Sequence, residues 1–375
     1  MDTGTKFTDL SENKMELNFK DLVWFGRYLD YNKIRYFNYS MSGFCFSFTG
    51  TKAEALIISD AASFPEENQC VLAVYITDGT DYTWKNLSEN PAKRFLLTKN
   101  ETKITLFESD TKKTVTISVF KFSECAFANA GLKKITIDGS LAKQKLPNSS
   151  KFSQKIEFIG DSITCGYGID GIWEKDSFKT WQERPDLAYS FLTARKLNAE
   201  ISCVSWSGIG IISNYVDSQT VNIPDTKLLM PSLWPYTDKN LSMLLKIEPE
   251  IWDEAKYSPD IIVVHLGTND SSWVQNIEER RLNFESCYRQ FLEAIHRRSP
   301  KAKICCCLGA MGTELNETVH HAVELFKSDF KNVICTTVDF PLQKDEDGIG
   351  ADWHPSAKTH RKMAELLTEE LKSLK

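Results

Sequence analysis

The sequence predicts two domains of different class: a β-sandwich over residues 1–145 and an α/β domain over residues 155–375, joined by a linker at 146–154. Three observations carry this expectation. Short alternating or apolar runs crowd the first part, with no long helical period between them. The stretch KQKLPNSSKFSQ is polar, contains Pro and lacks periodicity, as a linker does. After Lys155, strand-type runs alternate with amphipathic segments, which predicts a parallel sheet covered on both faces.

In the first domain the strand candidates are FCFSFTG, AEALIIS, CVLAVYITD, RFLLT, KITLFES, TVTISVFKF and KKITIDG, punctuated by Gly, Asp, Asn and Thr. In the second they are KIEFIG, AEISCVSW, DIIVVHLG, AKICCCLGA and NVICTTVDF. Helices are expected near 186–197, 275–298, 314–329 and 356–373. In the second of these, Ile277, Leu282, Phe284, Cys287, Phe291 and Ile295 recur close to a 3.6 period.

Bulk properties narrow the function classes. The chain has 375 residues, 42% hydrophobic and 26% charged, an ordinary globular composition long enough for a large core. Its 45 basic and 51 acidic side chains leave a net charge of −6. That balance argues against a nucleic-acid surface. No run approaches the ~18 apolar residues of a membrane span. The opening MDTGTKFTDLSENKMELNF lacks a basic region followed by an apolar one, so a cytoplasmic protein is expected unless a leader was removed. Ten cysteines, including Cys305, Cys306 and Cys307 in a row, read as buried free thiols of a reducing compartment. A glycosylation triplet starts at Asn269, whose amide is needed unmodified below, and this also leans against secretion.

Candidate chemistry sits at strand ends. Ser162 follows the strand KIEFIG in GDSIT, at a strand-turn-helix junction that exposes its hydroxyl. A serine needs a base. Of six histidines, His320 and His321 lie inside an amphipathic helix, and His296 and His360 lie among Arg and Lys on helices; all four are expected on the surface. His265, within IIVVHLG, is expected to be a satisfied core histidine. His354, in the loop GIGADWHP before the last helix, is left as the base; Pro355 suits the first turn of that helix. Gly208 in SWSGIG and Asn269 in LGTND follow the next two strands. The Ser162 N–H, the Gly208 N–H and the Asn269 amide together would form an oxyanion hole. Asp161 is expected to cap the turn.

In this combination the sequence resembles the SGNH (GDSL-type) hydrolase superfamily, through Ser162 in GDSIT, Gly208 in SGIG, Asn269 in GTND and His354 in DWHP. The resemblance covers roughly 155–375 and implies a flavodoxin-like three-layer α/β/α domain. The DWHP spelling, behind an N-terminal β-domain, is similar to carbohydrate esterase family 2. The segment GRYLDYNKIRYFNYSMSGFCFSFTGT extends that similarity into the first domain and implies a jelly-roll there. Members of that family remove acetyl groups from xylan and glucomannan. Some use a Ser-His-Asp triad, others a Ser-His dyad oriented by a backbone carbonyl. The usual acid position, three before the histidine, is Ala351 here; Asp352, two before it, is the candidate orienter.

The resemblance implies a serine esterase acting on acetylated oligo- or polysaccharides without metal or cofactor. Trp353, Trp206, Trp234 and Trp273 are candidate sugar-stacking residues, and Arg27 and Arg35 are expected as ion-paired surface groups. The competing expectations are a hydrolase of lipid or other short-chain acyl esters in the same superfamily, and a non-catalytic carbohydrate-binding protein.

Overall fold

A computed structural model describes residues 14–81, 83–142, 152–217, 219 and 221–374. Residues 143–151, the bulk of the expected linker, lie outside the described ones, and Gln154 already belongs to a strand.

The first domain is a curled antiparallel sheet. Its strands are β1 (Lys14–Leu17), β2 (Val23–Phe25), β3 (Leu29–Tyr31), β4 (Ile34–Tyr36), β5 (Gly43–Ser59), β6 (Cys70–Asp78), β7 (Lys93–Leu97), β8 (Glu101–Lys121), β9 (Ala130–Asp138) and β10 (Ser140–Leu141). The order is β3-β4-β9-β5-β8-β6-β7, with β1 on β9 and with β2 and β10 on β5. Sequence reading split both β5 and β8 in two at their Gly, Thr and Asp residues. In the structure each pair is one long strand, of 17 and 21 residues, with the β5–β8 register shifting part-way along. The break read at TGTK is a β-bulge. There the Asp138 carboxylate accepts the N–H groups of Thr51 at 2.7 Å and Lys52 at 2.6 Å. A Cβ on Gly50 would lie 1.9 Å from the Asp138 carbonyl oxygen, so only glycine fits the approach. Phe44, Phe46 and Phe48 of β5 pack with Leu72, Val74, Ile117, Val119 and Ile135 in one buried cluster.

The second domain is a parallel sheet of β11 (Gln154–Gly160), β12 (Ala199–Ser205), β13 (Ile261–His265), β14 (Lys303–Gly309) and β15 (Cys335–Phe340), ordered β12-β11-β13-β14-β15. Its helices are α1 (Ser162–Cys165), α2 (Tyr189–Leu197), α3 (Met230–Leu233), α4 (Lys239–Leu245), α5 (Thr268–Val274), α6 (Glu278–Arg298), α7 (Asn316–Asp329) and α8 (Ala357–Ser373). Strand alternation feeds both faces. Ile261, Val263, Cys305 and Cys307 point toward α2 and α8, while Ile262, Val264, Ile304 and Cys306 point toward α6 and α7. The cysteine run is therefore a strand interior buried on both sides, and all ten cysteines are free. In this strand order, the crevice above the carboxyl ends of the first and third strands is the expected ligand site.

The domains share a core. Phe25, Val71, Tyr75, Trp84 and Phe120 of the first pack with Phe152, Phe191 and Ala194 of the second. The Trp84 indole donates to the Ala199 carbonyl at 2.5 Å. Arg27, expected on the surface, is 1% exposed: it donates to the carbonyls of Trp234 and Tyr236 and pairs with buried Glu157 at 3.0 Å. Arg35 does pair with Asp30, at 2.6 Å, and its guanidinium lies 4.0 Å from the Tyr28 ring centroid.

Candidate active site

The strand β11 ends at Gly160, and the next residue caps a single helical turn. The Asp161 carboxylate accepts the Ile163 N–H at 3.0 Å, which places Ser162 first in α1. On the far side of the sheet edge, β15 leads through a 3-10 turn, Ala351–Trp353, to His354. Ser162 Oγ lies 2.9 Å from His354 Nε2. His354 Nδ1 lies 3.0 Å from the carbonyl oxygen of Asp352 and 3.3 Å from that of Ala351. Carbonyls only accept, so Nδ1 carries the proton and Nε2 is left to accept from the Ser162 hydroxyl.

The Asp352 carboxylate is not part of this line, which corrects its assignment as the orienting acid. Its Oδ2 accepts the Tyr167 hydroxyl at 2.8 Å. The reason is local backbone conformation. Asp352 and Trp353 both adopt left-handed φ, +50° and +62°. Each such non-glycine residue costs on the order of 1–2 kcal/mol. This turn presents the carbonyl of Asp352 to the imidazole and sends its side chain outward. Tyr167 also packs against the imidazole, with ring centroids 4.3 Å apart, and stacks on Phe178 at 3.6 Å. Burial pushes the His354 imidazole down to about 4, and the two carbonyls oppose that shift.

Gly208 and Asn269 line the same cavity as Ser162 and His354. Gly208 holds φ +78° in open space, so its glycine serves conformation and not clearance. The turn carrying it is tied down on all sides. Asn269 Nδ2 donates to the Ile209 carbonyl at 2.9 Å and has a longer 3.3 Å contact with Asp161 Oδ2. The Asp270 carboxylate accepts the N–H groups of Ile211, Ile212 and Ser213 at 2.8–3.1 Å. Burial raises Asp161 to about 7 and Asp270 to about 6, against the pull of the N–H groups each accepts. Sequence reasoning misses this role of Asp270, although GTND contains it directly beside Asn269.

The cavity has a volume of about 810 Å³, with walls that include Phe127, Tyr167, Trp173, Tyr215, Met311 and Trp353. Phe127 comes from the first domain. Of the four tryptophans expected here, only Trp353 lines it. Trp234 is core: it is 2% exposed, packs on Phe291 and donates its indole N–H to Glu157 at 2.9 Å. Trp206 and Trp273 pack against the second-domain core, with the Arg280 guanidinium 4.7 Å from the Trp273 ring centroid. Nearness in sequence to a motif does not fix side-chain direction, and these three point inward. Trp173 and Tyr215, which carry no motif, take their place. His360, expected on the surface, is fully buried and accepts the Tyr189 N–H at 3.1 Å. His265 is core as expected, yet its ring nitrogens have no hydrogen-bond partner among the described residues.

Residues 156–367 match the family described as GDSL-like lipase/acylhydrolase. Over 227 residues the chain is 37% identical to the cellulase/esterase CelE of Acetivibrio thermocellus, covering 59% of this chain and 25% of that protein. An acetylxylan esterase/glucomannan deacetylase of Cellvibrio japonicus is 26% identical over 290 residues, 77% of this chain and 75% of that one. The chain thus spans a quarter of the first of these relatives and three quarters of the second. Among solved structures, a family two carbohydrate esterase from Clostridium thermocellum in complex with cellohexaose superposes with a TM-score of 0.78 at 28% identity, covering 94% of this chain and 98% of that one. An acetyl xylan esterase from the rumen bacterium Butyrivibrio proteoclasticus shares the fold, with a TM-score of 0.80 at 21% identity over 96% and 97% of the two chains. With the family match spanning the sheet, the Ser162 turn and the His354 loop, the chain belongs to the GDSL-like lipase/acylhydrolase family.

Proposed function

We propose that the protein is a serine esterase that removes O-acetyl groups from plant-type oligo- or polysaccharides such as xylan and glucomannan. The observation that carries this reading is the 2.9 Å contact between Ser162 Oγ and His354 Nε2 on a cavity walled by aromatic rings. The names of the relatives supply the substrate class.

His354 Nε2 takes the proton of Ser162 as Oγ attacks the acetyl carbonyl carbon. The carbonyl π pair moves to oxygen, and the Ser162 N–H, the Gly208 N–H and the Asn269 amide receive that oxyanion. One such donor is worth about 3 kcal/mol in the transition state. The imidazolium then protonates the departing sugar oxygen, leaving acetyl on Ser162. Water, deprotonated by His354, attacks this ester; acetate leaves and Oγ regains its proton. The carbonyl of Asp352 supports the imidazolium in place of a carboxylate. Flat aromatic walls suit the apolar faces of pyranose rings.

Acetate release from acetylated glucomannan and xylan, and hydrolysis of 4-nitrophenyl acetate against the octanoate, test this reading. Expected are acetate release, preference for the acetyl ester, and loss of both in Ser162→Ala. Equal rates for wild type and Ser162→Ala, or preference for octanoate, would overturn it.

A further inference from the structure

Behind the turn that carries Gly208, two carboxyl groups from different domains meet away from solvent. Glu124 lies just beyond β8 in the first domain, and Glu183 lies just beyond the 3-10 turn Thr180–Gln182 in the second. Both are fully buried. The Glu124 N–H donates to Glu183 Oε2 at 2.8 Å. Glu124 Oε2 accepts the N–H of Ser207 and, at 3.5 Å, the thiol of Cys165. Oε1 of each glutamate is buried without a donor among the described residues. The Glu124 main-chain contact brings the two carboxyl groups together, and the charge of Glu124 raises Glu183. Two adjacent buried carboxylates repel, and a proton kept on one of them removes that repulsion and gives the pair a donor.

The surrounding charges fit one proton. Lys121 is buried beside the pair, and its ammonium donates to the carbonyls of Ser123 and Glu124 at 2.8 Å each. It balances one carboxylate and not two. The other titratable groups in range are Asp161, Tyr167 and the thiols of Cys70, Cys125 and Cys165, none of them cationic. Glu124 holds the two outside donors, so it is the ionised member and Glu183 the acid. Burial first, then the charge of Glu124, hold Glu183 well above the usual carboxylate range.

We propose that Glu124 is a positioning residue for the oxyanion turn: backed by Glu183, it anchors the Ser207 N–H from the first domain and so aims the neighbouring Gly208 N–H. This rests on the esterase reading above. The sign of its pH dependence follows from the pair. The proton is held at neutral pH and lost as pH rises, two adjacent buried charges then separate, and the turn loses its anchor. Turnover therefore falls on the alkaline side.

The test is kcat and KM for 4-nitrophenyl acetate across pH in wild type, Glu124→Ala, Glu124→Gln and Glu183→Gln. Glu124→Ala is expected to lower kcat about ten- to a hundredfold, with KM changed less than about twofold. Glu124→Gln, whose amide oxygen still accepts the Ser207 N–H, is expected to recover most of that loss. Glu183→Gln donates permanently and is expected to abolish the alkaline fall. Wild-type kcat in Glu124→Ala, or an unchanged alkaline limb in Glu183→Gln, would overturn the proposal. Infrared spectra provide an arm independent of activity. Well above the Asp161 titration near 7, wild type is expected to keep a protonated-carboxyl C=O band that Glu183→Gln lacks. Absence of that band overturns the pairing even in a protein that cleaves esters, whereas a band in a protein inactive on every ester overturns the kinetic role together with the esterase reading.

Discussion

His354 Nδ1 faces the main-chain oxygen of Asp352 at 3.0 Å, while the side chain of the same aspartate turns to Tyr167. Asp352→Asn therefore keeps the group that orients the imidazole. Its kcat/KM is expected to stay within about tenfold of wild type. An orienting carboxylate would cost about 10⁴-fold on the same change. Steady-state rates on 4-nitrophenyl acetate decide between them.

Ser162 and His354 act on one proton, so their losses do not add. His354→Ala is expected to lower kcat by about 10⁴-fold or more, and the double variant with Ser162→Ala is expected to be no slower than the worse single variant. A double variant slower by the product of the two would show independent roles.

Asn269→Ala removes a side-chain donor and also the tie to the Ile209 carbonyl. A fall of about 10²–10³-fold in kcat with little change in KM is expected. A rise in KM alone would place the amide in ground-state binding.

The acid limb belongs to His354. Its imidazole is depressed to about 4, so the neutral base persists above that value and is lost as pH falls through it. The kcat/KM profile of the free enzyme is expected to reach half its plateau near pH 4. A midpoint near the ordinary histidine value of about 6.5 would show a solvated imidazole.

Arg27→Ala leaves Glu157 buried without its counter-ion, held only by neutral donors such as the Trp234 indole. About 3–5 kcal/mol of stability is expected to be lost. Urea unfolding measures it, and a loss under about 1 kcal/mol would mean the pair is hydrated.

Much of this was legible before any coordinates. Helix periodicity placed α8 at 356–373 against Ala357–Ser373, and strand-end motifs brought Ser162, Gly208, Asn269 and His354 to one cavity. What escaped depends on partners far along the chain. Arg27 and His360 look like surface residues in sequence because their buried partners, Glu157 and the Tyr189 N–H, are more than a hundred positions away. The orientation of Asp352 hinges on two left-handed residues that no glycine announces. The register shifts between β5 and β8 resemble turns because a bulge and a turn use the same residue types.

The packing of Trp84 and Phe120 against Phe152 and Phe191 limits how this architecture can be recombined. A catalytic half transplanted alone would carry a bare aromatic patch and require resurfacing. Chimaeras between relatives should travel as matched halves, with the aromatic seam exchanged as a set.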